Sequence, residues 1–171
     1  AAATHLPCIP YNVPGRTGVN MTNETTVRLA VIYANIVGIK EASGNLGQIA
    51  KIIEAAPDGF RVWSGNDEDT FGIVAMGGYG VISVASHLVG LQIKDMINSL
   101  GSGELGEAAA IHRELMPLID VLFCVTNPIP IKVALNGLGL HVGGFRLPLC
   151  EPEEATTQRI MEEVKKHEID L

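Results

Sequence analysis

Up to Gly103, short apolar segments alternate with stretches of helical periodicity. The apolar segments are Leu6–Val13, Ile36–Lys40, Phe60–Ser64 and Gly80–Val84. None alternates strictly between apolar and polar, which is the pattern of parallel strands buried on both faces. Between the first two, MTNETTVRLAVIYA predicts a helix with Thr22 as its N-cap and Glu24 in the first turn, where the helix dipole favours an acid. Leu46, Ile49, Ala50 and Ile53 fall on one helical face, and Pro57-Asp58-Gly59 ends it. DEDTFGIVAMGG predicts a short helix opened by acids and closed by glycines. Ile93, Met96, Ile97 and Leu100 predict a longer helix, broken by Gly101-Ser102-Gly103. The succession is βαβαβαβα, so the expected fold class is α/β, with parallel strands joined by helical crossovers.

Beyond Gly103 the strand signal disappears. Helices are expected over 104–123, 129–136 and 153–167, with Pro117 bending the first and Pro128 and Pro130 framing the start of the second. Lys165, Lys166 and His167 complete the charge order that suits the last helix. The chain therefore divides into an α/β part, 1–103, and a small all-helical part, 104–171.

Composition narrows the function classes. A chain of 171 residues with 47% hydrophobic and 18% charged residues is globular, long enough to bury a core and too apolar for disorder. With a formal net charge of -7 and no cluster of Lys and Arg, nothing favours nucleic acid and none is expected as a partner. Cys8, Cys124 and Cys150 have no metal-site spacing and do not form an even disulfide framework, so a cytoplasmic setting is expected. No run reaches the ~18 apolar residues that span a bilayer, and no membrane partner is expected. The start, without Met and close to a strand, is what a piece of a longer chain would show.

Candidate chemistry lies at the C-terminal ends of the strands, where parallel α/β folds present polar groups to ligands. Lys40 ends an apolar strand, where desolvation lowers an amine's pKa and frees a nucleophile; it could equally snorkel past the strand end or pair with Glu41. Tyr11 ends another strand and is either a proton donor and acceptor or an amphipathic core tyrosine. Arg16 follows in a Pro-Gly turn, as a clamp for a carboxylate or as a surface arginine. Asp67, Glu68 and Asp69 read as a solvated turn at a helix start rather than a metal site. The glycines make no dinucleotide fingerprint, and the scattered histidines show no catalytic pairing.

Taken together, YNVPGRTG, GIKEASGN, SGND, GVISV and NPIPIK resemble, in order, the signatures of the dihydrodipicolinate synthase family within the N-acetylneuraminate lyase group. The resemblance covers essentially the whole chain. It implies the C-terminal half, strands five to eight, of a (β/α)8 TIM barrel followed by a small helical domain. It implies that Lys40 is the Schiff-base lysine, Tyr11 the proton relay and Arg16 the arginine that receives the carboxylate of aspartate semialdehyde. Gly65 and the Ile82 carbonyl are substrate-binding positions on the same basis. The covalent imine with pyruvate takes the place of a cofactor. The N-terminal half of the barrel has no counterpart here, so the implied partner is that half, or further copies in a homo-oligomer. A pyruvate-dependent aldolase with another electrophile, and a catalytically silent half-barrel, are the alternatives.

Overall fold

The computed structural model describes residues 1–171 and forms two compact units, Ala1–Ser83 and Val84–Leu171. In the first, four strands form a parallel sheet in sequence order: β1 (Tyr11–Asn12), β2 (Gly38–Glu41), β3 (Arg61–Ser64) and β4 (Gly80–Val81). The crossovers are helical. α1 (Pro14–Thr17) and α2 (Asn23–Ile32) lead to β2, α3 (Leu46–Ala55) leads to β3, and α4 (Thr70–Ala75) leads to β4.

The first strand is shorter than its apolar run of Leu6–Val13. Pro7 and Pro10 have no N–H to give a ladder. What remains is a single bridge between Cys8 and Ile36 and the two-residue strand β1 at the sheet edge. Thr22 caps α2 as expected, its hydroxyl accepting the Thr25 N–H at 3.3 Å. Asn45 caps α3 in the same way, accepting from Gln48 N at 3.0 Å. The buried face of α3 is Gln48, Ile49 and Ile52, rotated from the apolar stripe, and Leu46 stays exposed. A polar contact made by the Gln48 side chain accounts for that rotation, as described below.

Ile39 and Val62 point to the helix side of the sheet and pack with Ile49, Ile52 and Ile73 into a core fringed by Met21, Ile53, Phe60 and Met76. The opposite face carries Tyr11, Lys40 and Trp63, aligned by the register Tyr11↔Lys40 and Lys40↔Trp63. It is open: Tyr11 is 46% exposed and Ile82 41%. Burial on both faces, the expectation from the unbroken apolar runs, is thus met on the helix side alone.

The second unit holds α5 (Ser86–Gly101), α6 (Leu105–Leu122), α7 (Ile129–Gly137) and α8 (Glu154–Val164). The boundary at Ser83 differs from the division near Gly103, because α5 packs chiefly on α6. α6 runs as one helix through Pro117. α5 carries a break at Val89 (φ -134°, ψ 42°). A break frees backbone N–H groups, and the Asp170 carboxylate accepts those of Gly90, at 3.1 Å, and Leu91. α8 ends before the basic residues, and Lys166 and His167 return to Glu163 at 2.7 and 3.1 Å. No helix is long and apolar enough to cross a membrane.

Gly38 carries the tightest backbone approach in the sheet. A Cβ there would lie 2.3 Å from the Arg61 carbonyl oxygen and 2.4 Å from Trp63 Cζ3. Gly38→Ala should therefore cost about 1–3 kcal/mol through overpacking. Gly106→Ala, with nothing within 4 Å of its added Cβ, should be neutral or stabilising by up to about 1 kcal/mol. Urea midpoints of the two variants, measured side by side, check the contrast.

Candidate active site

Parallel pairing places four side chains two by two at the C-terminal ends of β1 and β2. Tyr11 pairs with Lys40 and Asn12 with Glu41. Because successive strand residues point to opposite faces, Tyr11 and Lys40 share the open face while Asn12 and Glu41 share the helix side. The Lys40 ammonium nitrogen lies 4.3 Å from the centre of the Tyr11 ring. Their backbones are fixed by Lys40 N donating to the Pro10 carbonyl at 2.9 Å and Ala42 N to the Asn12 carbonyl at 2.8 Å.

Lys40 is half-buried, and its pKa is lowered. Desolvation is the largest cause; Asp67 opposes it and Arg16 reinforces it. A lowered pKa raises the share of neutral, nucleophilic amine near neutral pH. Lys40 therefore does not pair with Glu41, one of the readings open from sequence. The alternation of β2 turns that carboxylate to the other face, where it is fully buried.

Arg16 lies in α1, a single helical turn opened by Pro14 and closed by Gly18 at φ 71°, rather than in a plain Pro-Gly turn. Its side chain is exposed. Gly65 follows β3, and its N–H donates to the Glu41 carbonyl at 2.7 Å. A Cβ on Gly65 would come within 2.7 Å of the Ala42 Cβ, so glycine lets the ends of β2 and β3 close together. Ile82 lies just beyond β4, its N–H donating to the Ser64 carbonyl at 3.0 Å.

Asp67 departs from the reading of a solvated acidic turn: it is 4% exposed, and its charge acts on Lys40. The sequence signal for it was its place after a strand end, which the two neighbouring acids disguised. Glu41 and its amide partners were also hidden, and strand alternation after Lys40 was the signal that would have exposed them. A cavity of about 400 Å³ between Phe60, Arg61 and Tyr79 lies at the N-terminal ends of β3 and β4, the wrong end of the strands for this chemistry.

The model of the dihydrodipicolinate synthetase family matches residues 1–167. A 4-hydroxy-tetrahydrodipicolinate synthase of Dehalococcoides mccartyi is 62% identical over all 171 residues, and one from Listeria monocytogenes is 51% identical over 169. Each match takes in 57% of the relative, so the chain spans little more than half the length of the curated proteins it matches. The crystal structure of dihydrodipicolinate synthase from Thermotoga maritima superposes with a TM-score of 0.93 at 42% identity, over 96% of this chain and 57% of that one. The enzyme from Cyanidioschyzon merolae with lysine bound gives 0.91 at 45% identity, over 94% of this chain and 54% of that one. With an amine-bearing strand end, a parallel α/β sheet and a family match along nearly its whole length, the chain belongs to the dihydrodipicolinate synthetase family.

Proposed function

We propose that this chain supplies the lysine-bearing half of a 4-hydroxy-tetrahydrodipicolinate synthase, condensing pyruvate with aspartate semialdehyde in lysine and diaminopimelate biosynthesis. Residues 1–103 are read as strands five to eight of a (β/α)8 barrel and their helices, and 104–171 as its helical domain. The observation that carries the reading is the half-buried Lys40, its pKa lowered by desolvation, 4.3 Å from the Tyr11 ring. The open face bearing both residues supports the barrel reading, since a closed barrel fills its interior from every strand.

In this mechanism the neutral Lys40 amine attacks the C2 carbonyl of pyruvate. The carbinolamine loses its oxygen as water and leaves a protonated imine. Tyr11 passes protons to and from that oxygen. The cationic imine withdraws electrons, C3 gives up a proton, and the resulting enamine forms a carbon–carbon bond to the aldehyde carbon of the semialdehyde, regenerating the iminium as the aldehyde C=O π bond opens and its oxygen takes up a proton. Arg16 receives the semialdehyde carboxylate, which a planar guanidinium binds through two parallel hydrogen bonds. Gly65 and the Ile82 carbonyl border the substrate. The imine makes a separate cofactor unnecessary.

Pyruvate with borohydride should add a reduced pyruvyl group at Lys40, located by peptide mapping; an adduct elsewhere, or equal labelling of Lys40→Ala, would refute the role. In the full-length protein, Arg16→Ala should weaken use of aspartate semialdehyde by about one to two decades while imine formation persists, as expected for loss of a contact worth about 1.5–3 kcal/mol. Asp67→Asn removes a negative charge that favours the ammonium, so the Lys40 pKa should fall further. The pH–rate profile of imine trapping should then move to lower pH, and a move to higher pH would contradict the assigned sign. Finally, the 171-residue chain expressed alone should associate or lack full turnover, because four strands cannot close a barrel. Sedimentation with activity assay checks this, and a fully active 18.2 kDa monomer would refute it.

A further inference from the structure

Behind Lys40 and Tyr11 the sheet buries a carboxylate with no cationic partner. Glu41 is fully buried, and the groups hydrogen-bonded to its carboxylate carry no charge. Every group that reaches Glu41 is a neutral donor. Asn12 Nδ2 lies 3.0 and 3.2 Å from its two oxygens, Ser43 N 2.8 Å from Oε1 and Gln48 Nε2 3.2 Å from Oε2. Asn12 and Gln48 are themselves nearly buried, at 3% and 8% exposure. Asn20 joins them, accepting from Asn12 at 2.9 Å and donating to Gln48 Oε1 at 2.8 Å.

The position of this cluster makes it more than core filling. β1 is an edge strand of two residues, and its neighbours Pro7 and Pro10 cannot donate to a ladder. The Asn12–Glu41 contact joins the same two strands as the Tyr11–Lys40 pair, one residue further along and on the opposite face. Asn12 Oδ1 also accepts the Met21 N–H at 3.0 Å, fixing where the segment that contains Arg16 returns to the sheet. One buried carboxylate thus ties down β1, the end of β2, the start of α3 and that segment.

We propose that Glu41, acting through Asn12 and Gln48, is a positioning residue that holds the Tyr11 hydroxyl in register with the Lys40 amine. The inference rests on the reading of Lys40 as the imine-forming lysine. Glu41 does not touch substrate. Its charge serves as an acceptor at both oxygens, which an amide cannot reproduce: Glu41→Gln would set an NH2 against donors.

The test is the rate of imine formation with pyruvate in the full-length protein, read as borohydride-trapped adduct at Lys40. Glu41→Gln should slow it by about ten- to a hundredfold, the scale on which small misplacements of a catalytic group act. Asn12→Ala provides the same reading should Glu41→Gln fail to fold. In a Tyr11→Phe background either change should have little further effect, because the group being positioned is gone. The double variant Asn12→Asp/Glu41→Gln, which exchanges donor and acceptor across the pair, should recover part of the rate. Undiminished trapping in a folded Glu41→Gln or Asn12→Ala protein, or an undiminished effect in the Tyr11→Phe background, would overturn the positioning role and leave Lys40 as assigned. Absence of any adduct in the unsubstituted protein would overturn the assignment of Lys40 and this inference with it.

Discussion

The alternation of side chains along β2 is the constraint on which the site depends. Ile39 and Glu41 face the helices, and Gly38 and Lys40 face the other way, because successive residues of a strand project to opposite sides of the sheet. One residue of slip would bury the amine among Ile49, Ile52 and Ile73 and expose the carboxylate. The apolar core on the helix side therefore fixes register, and register fixes chemistry. The same rule across β1 aligns Tyr11 with Lys40 and Asn12 with Glu41.

The two ionisable groups at the end of β2 face opposite electrostatic problems. Lys40 has lost enough water for its ammonium to be disfavoured, with Asp67 limiting that effect and Arg16 adding to it. Glu41 is more deeply buried, yet it is held by oriented amide dipoles and a backbone N–H rather than by a counter-ion. Hydrogen bonds to a charged group contribute about 1.5–3 kcal/mol each, and several of them can offset much of the cost of burial. An amine left poorly solvated is reactive, whereas a carboxylate saturated with donors is inert and rigid. Adjacent positions in one strand thus meet different environments on the two faces of one sheet.

The helical unit shows a related economy. The break at Val89 exposes N–H groups inside α5, and Asp170 accepts two of them while its N–H donates to the Leu88 carbonyl at 2.9 Å. Gln92 adds a 2.6 Å bond to the Glu168 carbonyl. The C-terminal segment is thereby fixed by the helix it completes. Pro117 lies inside α6, which continues through it, whereas α5 is interrupted where no proline marks the place.

By itself the sequence determined the succession of strands and helices, the cap Thr22, the strand-end location of Lys40 and Tyr11, and the family. Each of these is written locally, in apolar periodicity, in capping residues, or in short motifs read in order. It did not determine that the strand at Leu6–Val13 would shrink to two residues or that α3 would turn Gln48 inward. Nor did it show Asp67 as buried or Glu41 as the centre of an amide network. Those outcomes depend on which side chains meet across strands and between loops far apart in the chain. Pairwise contacts between Asn12, Glu41 and Gln48 come into being only when the sheet assembles, and only the tertiary structure decides which of two adjacent charged residues lies on the open face and which is buried among amides.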